Sequence, residues 1–398
     1  MILRNLIISL LVCAFTHTSA APRFANIFSD HAVLQRDTQI TIRGFDAEPD
    51  AELLLRIGGK DFPVQVNDDG SWSSLLPPEP ANSKGVEIEL IQDSNHAASL
   101  KGVIYGDVWL AAGQSNMQFQ IKGMLKGMPE TSKWVSAANL PSVRFRRIGD
   151  PVLDDSNSEA KDLSTADKWI PMTPDSVLKF SAVAATFAAK VNRESGIPIG
   201  IIDVSWGGKP IEPFIPRDSF STPFLKKIKS LADGEKLEEL AKTPGGVIIR
   251  NPQGYPGAIF NSRMAPISSV GVKGFLWYQG ESNAGKGEDP REYRHKMEAL
   301  ITAWRAKWKN KTLPCYFVQL PSFPNASGWI RMREEQRRSL EIPNTGMAVT
   351  IDIRGDDIHP PDKIPVGERL ARIALHQTYG EKDLPYSGPL YDLSLIHI

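Results

Sequence analysis

Four short segments of this sequence hold the residue types that acyl transfer requires. They are Gly113-Gln114-Ser115-Asn116-Met117, Ser205-Trp206-Gly207-Gly208, Tyr278-Gln279-Gly280-Glu281-Ser282-Asn283 and Asp356-Asp357-Ile358-His359-Pro360-Pro361. Together they contain a hydroxyl nucleophile, an imidazole to take its proton, carboxylates to orient the imidazole, and glycine- and amide-bearing turns to hold an oxyanion. Each segment alone has a plainer explanation. A serine at a strand-to-helix turn is commonly an N-cap, paired glycines commonly make a tight turn, and a histidine beside Pro-Pro is an ordinary loop residue. Their joint occurrence at strand ends is what points to chemistry.

The elements that must position these segments are legible from periodicity. The runs VIYGDVWLAAG, PIGIIDVSWGG and VKGFLWYQGES each read as a buried strand running into a turn, and CYFVQLP and GMAVTIDI as two further strands. Helical spacing predicts helices over 181–194, 292–308 and 366–379. Their inward stripes are Val183, Ala184, Phe187 and Val191; Met297, Leu300, Ile301 and Trp304; and Leu370, Ile373 and Ala374. Alternating strands and helices predict a parallel α/β sheet, in which ligands sit at the carboxyl ends of the strands. The Lys/Glu-rich stretch 225–240 reads as an exposed helical excursion. Before this region, short alternating runs at 39–43, 52–57 and 86–90, separated by turns such as Asp68-Asp69-Gly70, predict a small β-sandwich.

Size and charge exclude several classes. A chain of 398 residues favours two domains. Lys plus Arg and Asp plus Glu number 46 each, so the formal net charge is zero, without the basic footprint of a nucleic-acid binder or a polybasic membrane patch. Arg4, the apolar run Leu6 to Phe15 and Thr18-Ser19-Ala20 read as an export signal, and the run is shorter than the ~20 residues of a spanning helix. Cys315 is then the one cysteine left, in the apolar run LPCYFVQL, and reads as a buried strand residue rather than a reactive thiol.

At GQSNM, WYQGESN and DIHP the chain resembles the sialate O-acetylesterase-like carbohydrate esterases of the SGNH/GDSL hydrolase superfamily. FSDHAVLQRD, GDVWLAAGQSNMQF, IPIGIIDVSWGGKPIEPF, GFLWYQGESNA, WRAKW, FVQLPSF and DIHPPDKIPVGERLARIAL extend the resemblance, in order, along nearly the whole mature chain. It implies a flavodoxin-like three-layer α/β/α SGNH hydrolase domain over 104–380. This follows a signal peptide at 1–20 and a small N-terminal β-sandwich-like domain at 21–103, and precedes the start of a C-terminal β region at 381–398. It implies a secreted or periplasmic serine esterase that removes O-acetyl groups from sialic acid or plant polysaccharide and needs neither metal nor organic cofactor.

The resemblance also implies residue roles. Ser115 attacks the acetyl carbonyl, and His359 takes its proton and returns it to the departing sugar oxygen. The backbone amides of Ser115 and of Gly207 or Gly208, with the Gln279 side-chain amide, hold the oxyanion. Three carboxylates compete as the triad acid: Asp356, by its three-residue offset from His359; Asp357, within DIHP; and Glu281, which plays this part in related acetylxylan esterases. Trp206, Tyr278 and Asn283 are the candidate sugar contacts. Two departures from the family pattern stand out. Lys209 and Pro213-Phe214 replace residues usual after the paired glycines, which bears on substrate fit. The ending Ser394-Leu395-Ile396-His397-Ile398 does not match the family's continuation, so the C-terminal region reads as truncated and His397 as non-catalytic. The alternatives are a general short-chain acyl esterase and a non-catalytic carbohydrate-binding protein on an esterase scaffold.

Overall fold

A computed structural model describes residues 21–149, 158–234, 236, 239, 254–285, 289–324, 328–353 and 357–388. The expected export signal, Asp356 and the last ten residues, including His397, lie outside the described residues. Residues 381–388 form turns and bends without a strand.

The N-terminal β-structure comprises β1 (Arg23–Phe24), β2 (Val33–Gln35), β3 (Ile40–Phe45), β4 (Leu53–Ile57), β5 (Lys60–Pro63), β6 (Gln65–Val66), β7 (Trp72–Leu76) and β8 (Asn82–Gln92). One antiparallel sheet has the order β1-β3-β7-β6, and β5, β4 and β8 pair antiparallel in a second. Alternation explains the pairing: Ile40 and Ile42, Leu53 and Leu55, and Ile88 and Leu90 point one way and are buried. β8 returns through Asp93 and Ser94, both at positive φ (49° and 67°), a two-residue hairpin turn suited to the strand twist. It leads into β9 (Asn95–Gly113). This strand crosses residues 103 and 104. Its first half pairs antiparallel with β8, and its second half enters the central sheet.

The central sheet continues with β10 (Leu140–Arg147), β11 (Ile170–Met172), β12 (Ile199–Asp203), β13 (Gly274–Tyr278), β14 (Cys315–Val318) and β15 (Thr345–Ala348), in the order β11-β10-β12-β9-β13-β14-β15. All neighbours are parallel except β11, an antiparallel edge. The helices are α1 (Ser115–Gln118), α2 (Ile121–Gly127), α3 (Thr131–Ser136), α4 (Ala182–Ser195), α5 (Pro223–Asp233), α6 (Tyr293–Lys307), α7 (Trp329–Arg338) and α8 (Ile364–Gln377).

Register shows that helices cover both faces of the sheet. Trp109 of β9 stands opposite Gly274 of β13, so the two share a face, and Phe275 and Trp277 point to the other. Phe187 of α4 packs edge-on against Trp109 with centroids 5.1 Å apart, and Trp304 of α6 packs on Phe275 at 5.2 Å. α4 and α8 cross closely at Gly367, where an added Cβ would stand 1.8 Å from Thr186 Oγ1. The inward stripes expected on α4, α6 and α8 are buried, as is Cys315, whose thiol pKa burial raises to about 12. The stretch at 225–240 differs from its expectation. α5 docks by one face, with Leu225 and Ile228 buried, because its apolar residues recur three apart.

Candidate active site

The site forms where β9, β12 and β13 end. Gly113, the last residue of β9, has φ 135°, and a Cβ there would lie 2.1 Å from the Tyr278 carbonyl oxygen. Only glycine lets the two strand ends approach this closely. Gln114 then fastens them: its backbone N–H donates to the Tyr278 carbonyl (3.0 Å), and its Oε1 accepts from Ser282 N–H (3.1 Å) and Gln279 Nε2 (3.0 Å). The chain turns at Gln114, so Ser115 becomes the first residue of α1. Its N–H is one of the orphan amides of a helix N-terminus, with no intrahelical acceptor.

Ser115 Oγ lies 2.7 Å from His359 Nε2. Burial, with a smaller contribution from Lys363, lowers the His359 pKa below its usual 6.5, against the opposing pull of Asp357. The imidazole is therefore neutral near pH ~7 and able to accept the hydroxyl proton. The imidazole Nδ1 lies 3.6 Å from Asp357 Oδ1, within ion-pair range but longer than a hydrogen bond. The same oxygen accepts the His359 backbone N–H at 3.0 Å, which fixes the loop geometry. Among the described residues, Asp357 is the candidate carboxylate brought to the imidazole. Glu281 is buried, and its Oε1 accepts from Asn116 Nδ2 (2.5 Å).

Asn116 and Lys363 were not foreseen from the sequence. Asn116 also donates to the Ile358 carbonyl (3.0 Å), and its Oδ1 accepts from Lys363 Nζ (2.5 Å). Burial pushes the Lys363 ammonium down to about 7 and the Glu281 carboxyl upward. Glu281 Oε2 is buried without a hydrogen-bond partner among the described residues. Both residues lie inside the GQSNM and DIHPPDK segments, but no spacing rule links positions 116 and 363; their pairing arises from the strand order.

The oxyanion side differs in part from its expectation. Gly207 lies beside the nucleophile, where an added Cβ would stand 3.6 Å from Ser115 Cβ, and its N–H donates to Gln118 Oε1 (2.9 Å). Gly208 follows at φ 69°. Gln279 is fully buried, and its Nε2 is turned to Gln114 Oε1, Asn283 Oδ1 (2.7 Å) and the Lys209 carbonyl (3.3 Å). With two N–H bonds and three acceptors already in place, it braces the strand ends instead of presenting a donor to the oxyanion.

Two expected sugar contacts are also displaced. Tyr278 is 1% exposed, and burial raises its pKa well above the usual value. Asn283 is fully buried, with Oδ1 accepting the Ile211 N–H (3.0 Å) and Nδ2 donating to Glu212 Oε2 (3.2 Å). Residues at consecutive positions of a strand end alternate in direction, so proximity in sequence to a site residue does not bring exposure. Trp206 is half-buried, with the Arg263 guanidinium over its ring at 3.8 Å. Among the described residues no group of three or more His, Cys, Asp or Glu is placed to hold a metal ion. No helix of the described residues is long and apolar enough to cross a membrane.

A hydroxyl against a neutral imidazole, beside backbone amides at the carboxyl end of a parallel sheet, has the parts of acyl transfer. The fold and its relatives define the class: the protein is a carboxylic ester hydrolase. It belongs to the carbohydrate esterase family described as sialic acid-specific acetylesterase, whose sequence model matches residues 105–376. It is similar to the mouse sialate O-acetylesterase, at 29% identity over 92% of this chain and 75% of that protein. The human sialate O-acetylesterase is 28% identical over 97% of this chain and 76% of that protein. Among solved structures, a carbohydrate acetylesterase from Xanthomonas citri is 32% identical, with a TM-score of 0.78 over 92% of this chain and 77% of that one.

Proposed function

We propose that this protein is a secreted serine esterase that hydrolyses O-acetyl groups on sugars, sialic acid or plant polysaccharide, through an acetyl-enzyme. In this reading an SGNH-type, flavodoxin-like catalytic domain over 104–380 follows a β-sandwich-like domain at 21–103. The observation that carries it is the 2.7 Å contact between Ser115 Oγ and His359 Nε2.

The Ser115 oxygen forms a bond to the acetyl carbon as its proton passes to His359 Nε2. The carbonyl oxygen becomes an oxyanion, held by the amides of Ser115 and of Gly207 or Gly208. For Gly207 to serve, Gln118 Oε1 yields its hydrogen bond to the incoming oxygen. The bond to the sugar oxygen then breaks, and that oxygen takes the proton from His359. Water, deprotonated by His359, attacks the acetyl carbon; the bond to Ser115 Oγ breaks, that oxygen takes the proton back from His359, and acetate leaves. Asp357 orients the imidazole and stabilises its protonated form.

Acetate release from O-acetylated sialic acid and from acetylated xylan, measured with the purified protein and with Ser115→Ala, tests this function. Turnover of p-nitrophenyl acetate with none on either glycan would instead establish a general short-chain esterase.

A further inference from the structure

The turn that carries Ser115 also forms one wall of a cleft for which the proposed chemistry has no use. Gln118, Phe119, Gln120, Lys122, Lys126 and Arg147 line a shallow, open cleft of about 640 Å³. Gln120, Lys122 and Arg147 are shared with an adjoining hollow of about 380 Å³ that Lys168 and Lys179 also line. Gln118 joins this cleft to the site, because it accepts the Gly207 N–H beside Ser115.

Among the described residues the charge of this cleft is predominantly positive, in a chain of zero formal net charge. Three cations line the cleft and two more line the adjoining hollow, and none of the five has a hydrogen bond or ion pair to a carboxylate among the described residues. The two acids of the second hollow compensate it only in part. Asp167 pairs with Arg146 Nη1 at 3.4 Å, and Asp203 is buried, hydrogen-bonded to Ser205 and close enough to Arg147 to feel its charge, which leaves the four lysines as the cations without a described acidic partner. Lys122 and Lys126 stand one turn apart on α2, where like charges destabilise a helix. Folding alone gains nothing from this gathering of charge; an anion in the cleft would relieve it. Phe119, half-buried on the same wall, offers an apolar ring to a pyranose face.

We infer that this cleft is a subsite for an acidic sugar residue neighbouring the acetylated one, so that the preferred substrate is an anionic glycan chain. The inference rests on the proposed reading for its link to turnover, but its binding claim stands apart from catalysis. Ser115→Ala protein titrated calorimetrically with a glucuronic-acid-bearing xylo-oligosaccharide, its carboxyl-reduced counterpart and a sulfated xylo-oligosaccharide tests it directly. The acidic ligands should bind about tenfold more tightly than the reduced one, the sum of several exposed ion pairs. The stronger of the two identifies carboxylate or sulfate as the preferred group. The advantage should vanish in about 1 M salt, where the screening length is ~3 Å, and in a Lys122→Ala/Lys126→Ala background. The same two lysine changes, made with Ser115 intact, should leave p-nitrophenyl acetate turnover unchanged and should not lower the thermal transition, since they remove a like-charge pair. Equal affinity for the acidic and reduced ligands overturns the subsite and leaves the cations to an acidic protein partner. Acid-selective binding without glycan deacetylation would sustain the subsite while removing the proposed esterase function.

Discussion

Asn116, the residue after the nucleophile, donates a 3.0 Å hydrogen bond to the carbonyl of Ile358, the residue before the imidazole. The two halves of the proposed proton-transfer pair come from segments 244 positions apart, and this bond sets their spacing. Asn116 is held in turn by Glu281 and Lys363, so three buried polar side chains fix the relation of Ser115 to His359.

If Asn116 positions the pair, Asn116→Ala should lower kcat about tenfold or more with little change in KM, since the lost bond acts on proton-transfer geometry rather than on ground-state binding. Steady-state kinetics on p-nitrophenyl acetate, with a thermal melt to establish folding, decide this. An unchanged kcat in a folded variant removes Asn116 from any positioning role.

The identity of the acid is tested by two conservative changes. Asp357→Asn should reduce kcat by about tenfold to a hundredfold, less than for a fully buried triad acid, because the carboxylate is 72% exposed and 3.6 Å from the ring. Glu281→Gln keeps an oxygen for Asn116 and should stay within about threefold of wild type. The reverse ranking would make Glu281 the acid.

The pH profile follows from the imidazole. Neutral His359 is the active form, and its fraction rises with pH through its pKa. Burial lowers that pKa, so the acid limb of kcat/KM should have its midpoint below 6.5. Asp357 raises the His359 pKa, so Asp357→Asn should move the limb to still lower pH. A midpoint above ~7 would contradict a buried imidazole base.

Away from the site, Gly367→Ala should destabilise the fold by about 1–3 kcal/mol, read as a lowered thermal midpoint. The added methyl would meet Thr186 Oγ1 at 1.8 Å and the Val183 carbonyl oxygen at 2.4 Å, both on α4. An unshifted midpoint would mean that the crossing of α4 and α8 opens without cost.

The strands that carry Ser115 and Glu281 were legible because buried parallel strands are continuous apolar runs, and α4, α6 and α8 were legible from their stripes. The approach of Ser115 to His359 was suggested by residue type and family resemblance, and the structure brings them together. What escaped the sequence was direction and partnership. Gln279, Tyr278 and Asn283 sit in the right segment but point into the protein, and a strand end carries no local mark of which side chains face the cleft. The Asn116–Lys363 contact depends on where α8 begins relative to β9, a tertiary fact with no counterpart in spacing. The length of β9 was hidden for a related reason: its polar first half and apolar second half look like two elements, because the first pairs with an exposed hairpin and the second lies inside the sheet.

The central claim is that Ser115 carries the acetyl group. Rapid-quench mass spectrometry of the protein mixed with p-nitrophenyl acetate, followed by peptide mapping, tests it most directly. The account predicts a transient gain of one acetyl group on the peptide containing Ser115, absent from Ser115→Ala, which should also lose at least about 10⁴-fold in kcat. Undiminished turnover by Ser115→Ala, or an acetyl group on another side chain that decays at the rate of turnover, would contradict it.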